Sequence, residues 1–185
     1  MTNAYQYIKE SLKNSIKERM IEWRAGESVV KLEKPTDIGR ARNLGYKDKK
    51  GFIVARVKLV RGGRQRPRPR KGRRSKRMHT RLTLKMNYKW VAEQRAQKKY
   101  ENLEVLNSYN IGKDGKHYFF EVILVDPERA EIKSDPTINW ILRKSNRSRV
   151  YRGLTSSGKK SRGLRYRFPE LKTRPSSRSH DRRGR

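Results

Sequence analysis

The chain has 185 residues, room for one compact domain with appendages, and carries a formal net charge of +32 with only 32% hydrophobic residues. Its 50 Lys and Arg against 18 acids repel one another in any compact free state, so a polyanionic partner is expected. No apolar run reaches the length of a membrane span or forms a secretory signal core, and the absence of cysteine excludes disulfides and Cys-based zinc sites.

In chain order, Tyr5, Ile8, Leu12, Ile16, Met20 and Trp23 recur at three- or four-residue spacing, which predicts one long helix from about Asn3 to Gly26 with a core-facing stripe. A short helix is expected over 36–44, capped by Thr36 or Asp37 and stopped by Gly45. Residues 51–60 alternate as a strand, with Ile53, Ala55, Val57 and Leu59 on a buried face and Arg56 and Lys58 on a basic margin. Tyr88, Ala92, Ala96 and Tyr100 predict a helix over 88–101. Two β-rich runs, 103–111 and 118–125, flank Gly112-Lys113-Asp114-Gly115-Lys116, where Asp114-Gly115 suits a hairpin turn with positive φ. A short helix near 127–133 and the apolar group Ile138, Trp140, Ile141 and Leu142 follow.

These elements predict an α+β fold: a long N-terminal helix and a small mixed, antiparallel-biased sheet with packed helices, plus a long basic loop and a C-terminal extension. One globular domain is expected over 1–150 with a basic loop inserted at 61–87, and a basic extension over 151–185.

The charge is segregated. Residues 61–87 carry 12 basic and no acidic residues, and residues 141–185 carry 16 basic and 2 acidic, so these two segments hold 26 of the 32 excess charges. A merely soluble surface interleaves both signs. Pro67 and Pro69 bar a helix through the first segment. Both segments lack apolar periodicity, and composition predicts that they order on binding. Arginine forks pair with phosphates, and Tyr151, Tyr166 and Phe168 among them offer stacking surfaces for unpaired bases.

Signals of catalysis are weak. His79, His117 and His180 are scattered and without metal-ligand spacing. Gly153–Lys159 has the GxxxxGK spacing of a phosphate loop, but Lys160 stands where the metal-binding Ser or Thr belongs and no strong strand precedes it. Asp126, Glu128, Glu131 and Asp135 flank a turn and a short helix, so they read as structural before they read as paired nuclease carboxylates. An RNA-processing enzyme would need an acidic cleft or a cofactor loop, and neither is evident. A DNA-compacting protein stays open on composition alone, although a sizeable α+β domain suits structured RNA better.

Several runs resemble a known family. They are Arg42-Asn43-Leu44-Gly45-Tyr46-Lys47, Gly51-Phe52-Ile53-Val54-Ala55-Arg56-Val57, Val105-Leu106-Asn107-Ser108-Tyr109, Glu121-Val122-Ile123-Leu124-Val125-Asp126-Pro127 and Arg152-Gly153-Leu154-Thr155. With the opening Ala4-Tyr5-Gln6-Tyr7-Ile8 and the second Arg-Gly-Leu at Arg162, they resemble, in order from about 3 to 178, the large-subunit ribosomal protein of the fifteen-e family of archaea and eukaryotes. The short length and Lys172-Thr173-Arg174-Pro175 look closer to the archaeal branch; residues 165–171 depart from the family's Gly/Lys-rich stretch.

The resemblance implies a structural constituent of the large ribosomal subunit. It would sit in the cytoplasmic ribosome, bind large-subunit ribosomal RNA beside neighbouring ribosomal proteins, and support assembly and translation without catalysis. No intrinsic cofactor, small-molecule substrate, membrane or homo-oligomer is expected; Mg2+ enters only as an RNA-associated ion. The basic loop from Arg61 and the tail after Arg152 would enter RNA.

Charge and resemblance together nominate Arg40, Arg42, Lys47, Arg56 and Lys58 on the domain as RNA contacts. On the loop they nominate Arg61, Arg64, Arg66, Arg68, Arg70, Lys71, Arg73, Arg74, Lys76, Arg77 and Arg81. Towards the C-terminus stand Arg149, Arg152, Lys159, Lys160, Arg162, Arg165 and Arg174.

Overall fold

The computed structural model describes residues 4–66, 81–82 and 84–165. In chain order these form α1 (Ala4–Ala25), β1 (Val29–Leu32), α2 (Ile38–Asn43), β2 (Phe52–Val60), β3 (Arg64–Gln65), β4 (Arg81–Leu82), α3 (Tyr88–Lys99), β5 (Glu104–Lys113), β6 (His117–Val125), α4 (Ala130–Lys133), two 3-10 turns (Asn139–Leu142 and Lys144–Asn146) and α5 (Ser156–Ser161). The fold is α+β. Its main sheet has the order β1-β2-β6-β5, and every pairing in it is antiparallel rather than mixed. β1 went unpredicted because its four residues, Val-Val-Lys-Leu, are too few to show a period.

β6 lies inside the sheet and reads as a nearly unbroken apolar run, as expected of a strand covered on both faces. On one face, Ala55, Val57, Leu59, Phe120, Val122 and Leu124 pack beneath α3. Ala92 and Ala96 of α3 are fully buried and let its backbone come close to the strands. The opposite face is covered too, which corrects the expected basic margin. Val54, Tyr109 and Ile123 pack with Ala41 and Tyr46 around α2, while Trp23 near the end of α1 meets Phe119 edge-on at 5.5 Å. Ile132, Ile138 and Ile141 close the end of the sheet against Val125.

Asp37 is the cap of α2, its carboxylate accepting from Arg40 N at 2.9 Å. The β5–β6 turn differs from expectation. Gly115 is not among the glycines with positive φ. The Asp114 carboxylate closes the turn instead, accepting from the backbone N–H of Lys116 at 2.7 Å and from that of His117. Two irregularities in β5, between Val105 and Asn107 and between Asn110 and Gly112, re-aim its side chains. Tyr109 therefore faces α2, and Ser108 faces α3.

The two basic segments are not structureless throughout. β3 and β4 pair as a short ribbon at the base of the loop. Residues 151–165 pack back onto α3: Asn87 donates from its backbone N to Ser161 Oγ at 2.9 Å and from Nδ2 to the Ser157 carbonyl at 3.0 Å. Composition alone missed this because the packing uses buried Ser, Thr and Gly rather than an apolar stripe. Residues 67–80, 83 and 166–185 of the expected loop and extension lie outside the described residues. No helix among the described residues is long and apolar enough to cross a membrane.

Candidate nucleic-acid interface

The nominated cations divide by what their polar ends touch. Three of them serve the fold. Arg56 lies 4.5 Å over the Trp23 ring, and its burial pulls its pKa below the ordinary arginine value against the opposing pull of Glu121 and Glu22. Lys58 Nζ donates to the Arg24 and Gly26 carbonyls, each at 2.7 Å, and satisfies the orphan acceptors at the end of α1. Arg149 is buried, donates to the carbonyls of Val105 at 2.8 Å, Leu106 at 3.2 Å and Leu154 at 3.2 Å, and stacks 5.0 Å over Trp140. Cation–π stacking and carbonyl capture explain how charged groups occupy these places without a direct ion pair among the described residues.

Lys47 is paired with an acid. Lys47 and Lys49 hold Asp135 at 2.7 and 2.6 Å and keep its carboxyl far below the usual aspartate range. Asp126 is 3.4 Å from Arg129 and also accepts from Glu128 N at 3.0 Å. Two of the carboxylates that could have suggested a nuclease are thus engaged in turns and ion pairs. Among the described residues no group of His, Asp or Glu is arranged to hold a metal ion.

A further set of arginines is anchored but not neutralised. Arg40 donates to the Asn110 carbonyl at 3.0 Å. Arg61 donates to the Asp114 carbonyl and lies 4.8 Å over Tyr118. Arg152 donates to the Ser145 and Arg147 carbonyls at 2.5 and 2.8 Å, and Arg162 to the Arg152 and Gly153 carbonyls at 3.3 Å each. A carbonyl takes one N–H of a guanidinium and leaves its full charge and remaining donors for another partner. Arg64 is half-buried and reaches the Val60 carbonyl only at 3.5 Å. Arg42, Arg66, Lys159, Lys160 and Arg165 are exposed. Arg81 lies in β4. Arg68, Arg70, Lys71, Arg73, Arg74, Lys76, Arg77 and Arg174 lie outside the described residues, as do His79, His180, Tyr166 and Phe168. His117 is half-buried with Nδ1 3.6 Å from Asp114. Tyr151 is half-exposed beside Arg152.

The reading of the sequence missed Arg143, Lys144 and Arg147, exposed on the 3-10 turns between the domain and the final segment. Their close spacing as three cations was the signal that could have found them.

The phosphate-loop spacing has another explanation. Thr155 caps α5, accepting from Gly158 N at 3.2 Å, and donates its hydroxyl to Glu93 Oε2 at 2.6 Å. Ser108 donates to Glu93 Oε1 at 2.5 Å. A fully buried carboxylate thus sits against the Thr155 cap of α5. The glycines serve a tight backbone crossing.

Both edges of the main sheet are capped by cations: Arg149 and Arg40 on carbonyls of β5, and Lys99 on the Val29 carbonyl of β1 at 2.8 Å. Such capping blocks strand addition at the edges; Arg149 is buried there and Lys99 is also paired with Glu27 at 2.8 Å, while Arg40 is exposed.

The family model described as Ribosomal L15 matches residues 2–180, nearly the whole chain and all of the fold just described, so the protein belongs to the ribosomal L15e family.

Proposed function

We propose that this protein binds folded large-subunit ribosomal RNA through the rim of uncompensated cations on its domain and through its basic loop and C-terminal extension, stabilising that RNA during assembly and translation. Family membership makes it a structural constituent of the large ribosomal subunit, in association with its RNA and proteins. The observation that supports RNA binding most directly is the way Arg40, Arg61, Arg152 and Arg162 are held. Each is fixed in direction by a backbone carbonyl, and none of these hydrogen bonds is to a carboxylate. Oriented, unneutralised guanidinium groups suit phosphates held in a fixed tertiary shape. The loop and extension would thread between RNA elements, with Pro67 and Pro69 favouring extended chain. This role requires no intrinsic cofactor, no small-molecule substrate and no second copy of the chain; Mg2+ would belong to the RNA.

Sedimentation through a high-salt gradient tests the reading. The protein should travel with large ribosomal subunits when salt is high enough to strip loosely held cationic proteins. Its release into the top fractions with other non-specific binders would refute the proposal.

A further inference from the structure

Residues 143–153 run through a series of tight turns on the way to α5. Asn146 N reaches the Arg143 carbonyl at 2.7 Å, Arg147 N the Lys144 carbonyl at 3.2 Å and Tyr151 N the Ser148 carbonyl at 3.2 Å. Glycine aside, Ser148 alone among the described residues has a positive φ, of 52°. Its N–H is held by the Glu104 carboxylate at 2.8 Å. A side-chain-bearing residue stays in that region only where its surroundings hold it there. Arg149 and Val150 before Tyr151, and Gly153 after Arg152, are buried. Tyr151 and Arg152 are therefore the exposed pair on a backbone fixed from both sides.

Tyr151 leaves half of its surface, 50%, to water. Tyr46, Tyr88, Tyr109 and Tyr118 each meet another ring or a guanidinium. Tyr151 has no such contact among the described residues, and its hydroxyl has no hydrogen bond there. The charge around it is of one sign, because residues 141–165 contain no Asp or Glu. Arg162 Nη1 donates to the Arg152 and Gly153 carbonyls at 3.3 Å each. Arg152 Nη2 in turn donates to the Ser145 and Arg147 carbonyls at 2.5 and 2.8 Å. A chain of direct contacts thus runs from the end of α5, past Tyr151, to the turn that carries Arg147. Each of the two arginines keeps its other terminal nitrogen without a partner among the described residues. Glu104, the acid behind this turn, is buried and committed to Ser148 N.

We propose that Tyr151 stacks on an unpaired base of ribosomal RNA while Arg152 and Arg162 hold phosphates of the same strand. This deepens the RNA-binding reading above and rests on it. Phosphates are available along any RNA, but a base face is open to an aromatic ring only where the base has left its helix. The cations alone would accept a duplex, and the ring adds selection for a loop, a bulge or an end. A ring on a fixed backbone also loses little freedom on binding. The acid-free run around it matches a polyanion rather than an apolar pocket on a neighbouring protein.

The test uses the full chain and a fragment of large-subunit ribosomal RNA that includes unpaired loops, with affinity measured across a salt series and circular dichroism as the folding control. Tyr151→Ala removes the ring, Tyr151→Leu keeps apolar bulk, and Tyr151→Phe keeps the ring without the hydroxyl. Tyr151→Ala should weaken binding about 5–150-fold, the effect of losing one stacked base. Its slope of log affinity against log salt should equal that of wild type, because no phosphate contact is lost. Tyr151→Leu should be weakened in the same way, and Tyr151→Phe should bind as wild type does. Arg152→Gln and Arg162→Gln should each make the slope shallower by up to about 0.7, the contribution of one phosphate on a single strand. Wild-type affinity in folded Tyr151→Ala would overturn the site while leaving RNA binding intact; that is also the result if the ring docks on a protein. A loss accompanied by a shallower slope would overturn it as well, since the ring would then only position Arg152. Wild-type slopes in both folded arginine variants would overturn the phosphate half of the proposal. If Tyr151→Ala does not fold, Tyr151→Leu decides by the same criteria. Failure of the wild-type protein to bind the fragment would instead sink the RNA-binding reading itself.

Discussion

Gly158 lies so close to Gly153 that a Cβ on Gly158 would sit 2.7 Å from the Gly153 Cα. The obstacle is backbone, which cannot swing aside as a flexible side chain can. Gly153 itself has a φ of +66°, and a Cβ there would meet Trp90 at about 3 Å. The two glycines let the chain cross itself between the end of the β-rich domain and α5.

Gly158→Ala is therefore expected to destabilise the protein by about 1–3 kcal/mol, as overpacking does, and to weaken amide protection in α5. Gly115→Ala is the control: open space surrounds it and its φ is not positive, so its effect should stay within about 0.5 kcal/mol. Urea unfolding measures both. Equal stabilities of the two variants would show that the crossing is not needed.

Legibility in the sequence followed the physics of each signal. The strand 52–60, the helix 88–99 and the 104–125 hairpin were readable because an apolar period and burial coincide there. The roles of Arg56, Lys58 and Arg149 were not. A basic residue on an apparent outer face looks identical whether solvent, RNA or a carbonyl receives it, and only the second layer formed by α1 and α2 decides. The packing of 151–165 was hidden for a related reason. Glu93 is a single acid in a helix, and its partners Ser108 and Thr155 are 15 and 62 residues away.

Arg149→Lys separates a structural from an RNA-facing arginine. Lysine has no planar fork to span the Val105, Leu106 and Leu154 carbonyls. Leaving such buried acceptors unpaired costs about 1–3 kcal/mol. The variant should melt earlier, while the salt dependence of RNA binding, measured below its melting temperature, keeps its slope because the charge is retained. Wild-type stability would refute the structural role.

Glu121 gives a pH dependence of known sign. It is fully buried, accepts from Thr36 Oγ1 at 2.5 Å, from Thr36 N and from Tyr109 Oη, and lies near Arg56. Burial outweighs these partners and raises its pKa above the usual 4.5. A folded value above the unfolded one means the protonated form is favoured in the fold. The associated stability is complete below about 4.5 and is lost as pH rises through the folded value. Glu121→Gln removes this titration. The melting temperature of wild type minus that of Glu121→Gln should therefore fall as pH increases from 4 to about 7. A constant difference would mean that Glu121 titrates normally. Asp135, held low by Lys47 and Lys49, has the opposite sign and loses its contribution as pH drops; it cancels in this subtraction.

The basic loop should act through phosphate neutralisation. Arg64 and Arg66 leave the β3 end of the ribbon, and Arg68 and Arg70 continue the acid-free run in the sequence. Replacing all four with Gln keeps polarity and length while removing four charges. Each phosphate that is no longer neutralised should make the slope of log affinity against log salt shallower by about 0.7–0.9, so two to four such phosphates amount to about 1.5–3.5. Arg61 is left in place because its donation to the Asp114 carbonyl and its stacking on Tyr118 tie the loop's origin to the β5–β6 turn. The fold should survive, since among the described residues the Arg64 side chain is held only by its long hydrogen bond to the Val60 carbonyl, its backbone pairing with Leu82 is untouched by the substitution, and Arg66 is exposed. Binding to a large-subunit ribosomal RNA fragment across a salt series measures the slope, with circular dichroism as the folding control. A folded variant with the wild-type slope would show that the loop does not follow the RNA backbone. Loss of folding would show that the ribbon of β3 and β4 supports the domain rather than extending from it.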